Sequence, residues 1–509
     1  MLPQLVKKIK SFFGVDLAQS SALDRFAYVR HSDGTTEGSY VVAGGLSGPD
    51  QGARLFFNTT TPLGGNMVGF DMRIKFEMTL ASLNDPKLAR VYYDSSSYDD
   101  DTILTLAEDV SSWEVGDQIA VGSTDFDQDF TEQFKIIACS ECSSNQVKVN
   151  RKPTYTHWGR IDFRSGIDQR APVGLLSRNI KIQGQTGHAC QYARTRESQN
   201  EWSVNYGRDF CQFFDGSSNH NQYQPRSGDM HGGHIIVTGG FKSVHFSHVE
   251  LYKMGQAQLG RYPFHWHFAF DIGHSGGYED PSTFEYNSIH NAFNRFVTVH
   301  HTHNALVQGN VGYKTRGHGF FIEDGDEKGT IFRKNLGMVS HQGIVLPTDQ
   351  GQLLCADAKA GYEGAVVQSA CRAFSMFWIS NINTHLDDNY AIGANTCYWF
   401  LPHNSQFWAV SRDKPPGPWT NNRGSSCNRG IQVESVVEDR DPEEGRDTPF
   451  LGIFGGRQVA TESGSVLEGC YPVIFDGWKI HHTRSHGAWI RQGTVIFKNS
   501  QFSGQGSSR

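Results

Sequence analysis

The chain has little of what helical and membrane-spanning proteins are made from. Only 8 of its 509 residues are methionine, while 55 are glycine and 12% are aromatic. With few windows of helical periodicity, that composition fits a turn-rich β protein rather than a helical bundle. No stretch reaches the roughly 18 apolar residues of a transmembrane helix, so no membrane span is expected. The opening "MLPQLVKKIKSFFGVDLAQSS" sets lysines at 7, 8 and 10 among scattered apolar residues and lacks the continuous apolar segment of a secretory leader. A net charge of −7 carries no basic excess. Nucleic acid is thereby excluded as an expected partner, and a polyanionic ligand would need a local basic or metal-bearing groove. A DxDxDG calcium loop and the leucine pattern of leucine-rich repeats are both missing.

Cysteine is sparse: nine residues, an odd number. Two close pairs, Cys190 with Cys211 and Cys355 with Cys371, are predicted to form disulfides, each closing a loop of about 20 residues and contributing roughly 3 kcal/mol. The lone CxxC at Cys139 and Cys142 has no second pair at zinc spacing, so a tight disulfide or free thiols fit better than a metal. One sequon, Asn58-Thr59-Thr60, would accept a glycan in a secreted protein.

What is present is a repeat. "NSIHNAFNRFVTVH" (287–300) aligns without gaps to "NVGYKTRGHGFFIE" (310–323), a step of 23 residues, and "NLGMVSHQGIVLP" begins 25 later at 335. "TRSHGAWI" (483–490) echoes "TRGHGFFI" (315–322). Short β runs at a period in the low twenties, with Asn287, Asn310 and Asn335 at one phase, predict a right-handed parallel β-helix of PbH1 type whose asparagines bond from turn to turn. The expected division is a poorly assigned β-rich segment over 1–100, a β-rich lead-in packed on the helix over 101–230, and the parallel β-helix over 231–509.

The stretch "LGRYPFHWHFAFDIG" (259–273) then acquires a direction. Side chains alternate along a strand, so Phe264, Trp266 and Phe268 are predicted to enter the core while His265 and His267 face outward. In the following coils Val297, Val299, Phe320 and Ile322 take the inward phase; Thr298, His300, Phe321 and Glu323 take the outward one. In register, His267, His300 and Glu323 form an outward column spaced by about 4.8 Å.

These residues also carry a family resemblance. "GRYPFHWHFAFD", "GGYEDPSTFEYNSIHNAFNRFVTVH" and "GHGFFIEDGDE", with "SWEVGDQIAVGSTDF" and "PVGLLSRNIKIQGQ" upstream and "HGAWIRQG" downstream, resemble the family of the hyaluronan-binding cell-migration proteins and cell surface hyaluronidases. The resemblance runs over roughly residues 100–500. It implies a parallel β-helix outside the cell or at its surface, hyaluronan or a related glycosaminoglycan as partner, depolymerisation of it, and Ca2+ as cofactor. The family's G8 module is not recognisable, and the acid and proline after Gly276-Gly277-Tyr278 are rearranged to Glu279-Asp280-Pro281.

Hydrolysis of a glycosidic bond takes two carboxyl groups, for which Asp271, Asp280, Glu323 and Asp324 are at hand. Elimination takes a base and a cation against the uronate, which Arg261 and the histidines could supply. Both chemistries stay open. The candidate catalytic set is Arg261, His265, His267, Asp271, His300 and Glu323, with Tyr262, Asp280, His301 and Asp324 as candidate substrate contacts. No metal ligands are assigned, and a non-catalytic glycan-binding module is the alternative function.

Overall fold

The computed structural model describes residues 87–94, 102–184, 232–256, 259–341, 374–401, 415–433, 472–490 and 495–506 with side chains, and strands 26–31, 41–43, 53–57, 76–81, 455–461 and 464–471 as backbone. Cys190, Cys211, Cys355, Cys371 and Asn58 lie outside the described residues. Each coil contributes one strand to each of three long sheets. One coil, for example, runs through Thr283–Glu285, Ser288–His290 and Val297–His303, and the next through Leu306–Gln308, Val311–Arg316 and Phe320–Ile322. The pairing between successive coils is parallel in all three sheets. This is a parallel β-helix, and the described residues contain no helix long and apolar enough to cross a membrane. The parallel ladders begin upstream of the boundary expected at 231: Ala53–Phe57 pairs with Ile180–Gly184, which pairs with Val249–Tyr252.

A single core fills the tube, with Phe264, Trp266, Phe284, Val299, Phe320, Phe332, Phe377, Tyr398 and Trp478 stacked coil on coil. At one corner the asparagines stack as the repeat predicts. Asn287 Nδ2 donates to Asn310 Oδ1 at 3.2 Å, Asn310 Nδ2 to Asn335 Oδ1 at 3.0 Å, Asn335 Nδ2 to Asn389 Oδ1 at 3.0 Å and Asn389 Nδ2 to Asn422 Oδ1 at 2.9 Å. Each carboxamide oxygen also accepts the backbone N–H of the preceding coil's asparagine, and each amide donates to a main-chain carbonyl, such as Val307 O for Asn335. The residue before each asparagine, Tyr286, Gly309, Lys334, Asp388 and Asn421, is left-handed with φ between 51° and 65°. That conformation costs a non-glycine residue about 1–2 kcal/mol, and the fully satisfied buried amides offset it.

Ahead of the tube, six antiparallel strands order as Arg90–Tyr92, Pro172–Leu175, Gln118–Val121, Glu132–Ile137, Gln146–Val149 and Ile103–Thr105. A bridge between Tyr93 and Leu106 brings the two edges together, closing a small barrel around Val91, Leu104, Ile119, Phe134 and Val173. The barrel packs on the outside of one long sheet through Ala120, Leu176, Val311, Tyr313, Leu336 and Ile392. Arg90 Nη2 reaches Asp388 Oδ2 at 2.9 Å across this contact. Cys139 and Cys142 are disulfide-bonded in a barrel turn. A second disulfide joins Cys397 and Cys427 of neighbouring coils inside the core.

Beside the barrel, Glu250 is buried with Lys181 on one oxygen and His290 Nε2 at 2.9 Å on the same atom. Burial pushes its carboxyl up, but the His290 hydrogen bond and charge together with Lys181 outweigh it and hold the group at about 2.

Two outcomes follow from these contacts. Asn335→Ala should lower the unfolding free energy by roughly 2–4 kcal/mol in chemical denaturation, because the N–H and Nδ2 donors of Asn310 lose their acceptor inside the protein. Glu250 has a folded pKa below its unfolded value. Its contribution is therefore complete above the unfolded pKa of 4.5 and is lost as pH falls toward about 2. Between those pH values wild-type stability should fall by up to about 3 kcal/mol more than that of Glu250→Gln, read as the difference in slope of two pH–stability curves.

Candidate functional site

The strand Phe264–Asp271 carries the site. Its first half alternates as expected: Phe264 and Trp266 lie in the core, fully buried, and His265 and His267 lie on the opposite face of the sheet. Phe264 to His267 pair in register with Val297 to His300, and the register shifts between His267 and Phe270. Phe268 and Phe270 take left-handed backbone at φ 48° and 60°. The alternation stops there. Ala269 takes the inward position, Phe270 stands 56% exposed, and Phe268 packs outside against the rings of His300 and His301. Phe268 is thus a correction to the sequence reading: a one-residue slip of register between His267 and Phe270, invisible in the alternation, turns it out of the core.

On the outer face three coils converge. His267 Nδ1 meets His300 Nδ1 at 2.9 Å. Glu323 Oε2 lies 3.5 Å from His265 Nε2 and 3.4 Å from His300 Nδ1. His300 Nε2 meets Asp324 Oδ2 at 2.7 Å. The outward column of His267, His300 and Glu323 is therefore present, joined by His265 and Asp324. Its members differ in access. His265 points away from the core, yet it is wholly buried together with Glu323, whereas the His300 and Asp324 side chains keep 12% and 13% of their surface. The turn before the strand covers His265: Nδ1 bonds Gly260 O at 3.0 Å and the Tyr262 ring stands edge-on.

Tyr262 is also fully buried, and its hydroxyl donates to Glu323 Oε1 at 3.0 Å. It positions the carboxylate rather than meeting a ligand. Glu327 fixes the loop that presents Asp324 by accepting the N–H groups of His301, Asp324 and Gly325. Burial, with the nearby His265 and His300 charges, lowers His267 to about 4. Burial also opposes a charge on His300, but Asp324 and Glu323 outweigh it and raise that ring to about 9. Without a ligand, His300 carries the proton and donates it toward His267 and Asp324.

The other candidates are placed elsewhere. Arg261 Nη1 donates to Gln256 Oε1 at 2.8 Å. It flanks the cluster through His234, which burial, Arg261 and His265 push down to about 4. Asp271 is tied to Asn304 Nδ2 at 2.8 Å, Ser275 Oγ at 2.6 Å and Gly273 N at 3.0 Å in the turn after the strand. The Gly-Gly-Tyr motif serves that turn, since a Cβ on Gly276 would fall 2.0 Å from Asp271 O and Gly277 has φ 85°. Asp280 accepts from His245 Nε2 at 2.8 Å, on a strand of a different sheet. His301 is buried against Asp326. Sequence reasoning passed over His234 and the role of Tyr262, because no periodicity links them to the column.

The donor set does not suit the calcium that the resemblance implies. Calcium takes six to eight oxygen ligands, whereas one nitrogen of each of His265, His267 and His300 lies within 4.8 Å of the others, beside a single Glu323 oxygen. Imidazole nitrogen belongs to zinc, copper, iron and nickel chemistry.

Fold and cluster define a class: a parallel β-helix with a histidine–carboxylate cluster on its outer face. Within it, residues 230–428 match the CEMIP beta-helix, and the chain belongs to that family. The cell surface hyaluronidase of Danio rerio is 36% identical over 416 residues, covering 79% of this chain and 28% of that protein. The human cell migration-inducing and hyaluronan-binding protein is 35% identical over 420 residues, 80% of this chain and 29% of that one. Human fibrocystin-L is 30% identical over 416 residues, 78% of this chain and 8% of its own length. The chain thus spans under a third of the length of each of these three relatives.

Proposed function

We propose that this chain binds hyaluronan across the outer face of its β-helix and shortens it, acting outside the cell or at its surface. The observation that carries the reading is the convergence of His267, His300, Glu323 and Asp324 in mutual contact on one rigid face. The names of two relatives, a cell surface hyaluronidase and a hyaluronan-binding protein, supply the ligand. Two disulfides among the described residues suit an oxidising compartment.

The division of labour follows from access. His267, His300 and Asp324 are the groups a sugar could touch, and they can donate to or accept from the glycosidic oxygen and neighbouring hydroxyls. Glu323 lies beneath them, supplying negative charge where positive charge develops on the ring. Arg261, at the edge of the cluster, is the nearest candidate to receive a uronate carboxylate. That role of Glu323 belongs to hydrolysis; elimination would instead use His267 as the base at the uronate C5 with Arg261 against its carboxylate, and the two chemistries differ in product.

A second reading is a binding module without turnover. It is favoured by the similarity to a hyaluronan-binding protein and by the burial of His265 and Glu323 away from any ligand.

Purified protein incubated with size-defined hyaluronan should shorten the polymer. Glu323→Gln and Asp324→Asn should each slow this by about 100-fold or more while retaining the polymer in a pull-down. Retention by wild type with no fall in polymer length would leave only the binding module. An ultraviolet-absorbing unsaturated product marks elimination, and its absence with shortened chains marks hydrolysis.

A further inference from the structure

The geometry points to a binding site for one first-row transition-metal ion of the zinc class, held by His265 Nε2, His267 Nδ1 and His300 Nδ1 with Glu323 Oε2 as fourth ligand. The ion would lie at the face assigned above to hyaluronan, and only its part in shortening the polymer rests on that reading.

Four donor atoms from three successive coils face one point. Adjacent donors are 2.9 Å apart between His267 and His300, 3.4 Å between His300 and Glu323, and 3.5 Å between His265 and Glu323. A tetrahedral ion with bonds of 2.0–2.1 Å holds its ligand atoms about 3.3 Å from one another; these three spacings lie close to that, and the histidine nitrogens, all within 4.8 Å of one another, would draw together around the ion.

The far sides of two rings are fixed in the manner of metal-binding histidines, which give their second N–H to a carbonyl or carboxylate. His265 Nδ1 donates to Gly260 O at 3.0 Å. Its Nε2 is therefore the nitrogen turned into the cluster; that atom is buried and makes no hydrogen bond, with Glu323 Oε2 3.5 Å away. His300 Nε2 donates to Asp324 Oδ2 at 2.7 Å, leaving Nδ1 turned into the cluster. Tyr262 holds Glu323 by its other oxygen. An unpartnered buried nitrogen is costly, and an ion would satisfy it together with its three neighbours. Three imidazoles with one carboxylate select zinc, cobalt, iron or nickel over calcium and magnesium.

The test uses the full chain, freed of metal by chelator and titrated with Co2+ as a spectroscopic stand-in for zinc. One equivalent should produce the visible absorption of cobalt bound by nitrogen and oxygen in tetrahedral geometry. Zn2+ should bleach it and a hundredfold excess of Ca2+ should not. His267→Asn and His300→Asn should weaken Co2+ binding about 100-fold or more. Asp324→Asn, which acts through His300, should weaken it roughly tenfold. The exposed His486→Ala should leave it unchanged. Circular dichroism of each variant checks the fold, and His267, the least confined of the three histidines, keeps the test informative if His300→Asn does not fold. Absence of the band, its survival in His267→Asn, or displacement by Ca2+ at equal concentration would each overturn the site. Hyaluronan length measured in the same samples separates the two readings: stoichiometric cobalt without shortening retains the metal site and overturns the depolymerase.

Discussion

The structure depends on one buried hydrogen-bond ladder. Five asparagines, from Asn287 to Asn422, are joined by four carboxamide bonds from coil to coil, and the oxygens from Asn310 onward also tie the preceding coil's backbone. Burial of one face resists a one-residue slip, which would exchange every inward side chain for an outward one, but gives no defence against a slip of two. A carboxamide that must meet its counterpart in the neighbouring coil supplies that defence. The left-handed residue before each asparagine turns the chain at the same point in every coil, so the third strand of each coil starts in step with its neighbours.

Register is what the site is made from. His265, His267, His300 and Glu323 are separated by up to 58 residues and meet only because their strands stack in phase. The same stacking places the outward residues Phe321, Trp378 and Trp399 in one buried aromatic row beside the histidines. The slip after His267 then ends the regular sheet and turns Phe268 against the His300 ring. A rigid floor beneath a partly open rim is the arrangement that lets groups be held close together without collapsing into the core.

The tube and half of the site were legible in the sequence for the same reason. A 23-residue step with asparagine at fixed phase reports the corner, and alternation from Phe264 to His267 reports the faces, so the pairing of His267 with His300 could be read from the chain alone. The rest depended on contacts that leave no period. Phe268 departs from alternation because two backbone torsions turn positive. His265 is covered by the turn that carries Tyr262, and Asp271 and Asp280 are taken up by Asn304, Ser275 and His245. Cys397 and Cys427 pair across 30 residues, because adjacent coils bring distant positions together. Local spacing could not reveal that partner.

The central claim, that the stacked histidine–carboxylate face of the early coils receives the polymer, is tested most directly by the structure of the chain with a bound hyaluronan oligosaccharide. Sugar density lying across His267, His300 and Asp324, with Glu323 beneath it and a uronate carboxylate toward Arg261, is the predicted result. An oligosaccharide bound to another face of the β-helix, with the histidine cluster untouched, would contradict it.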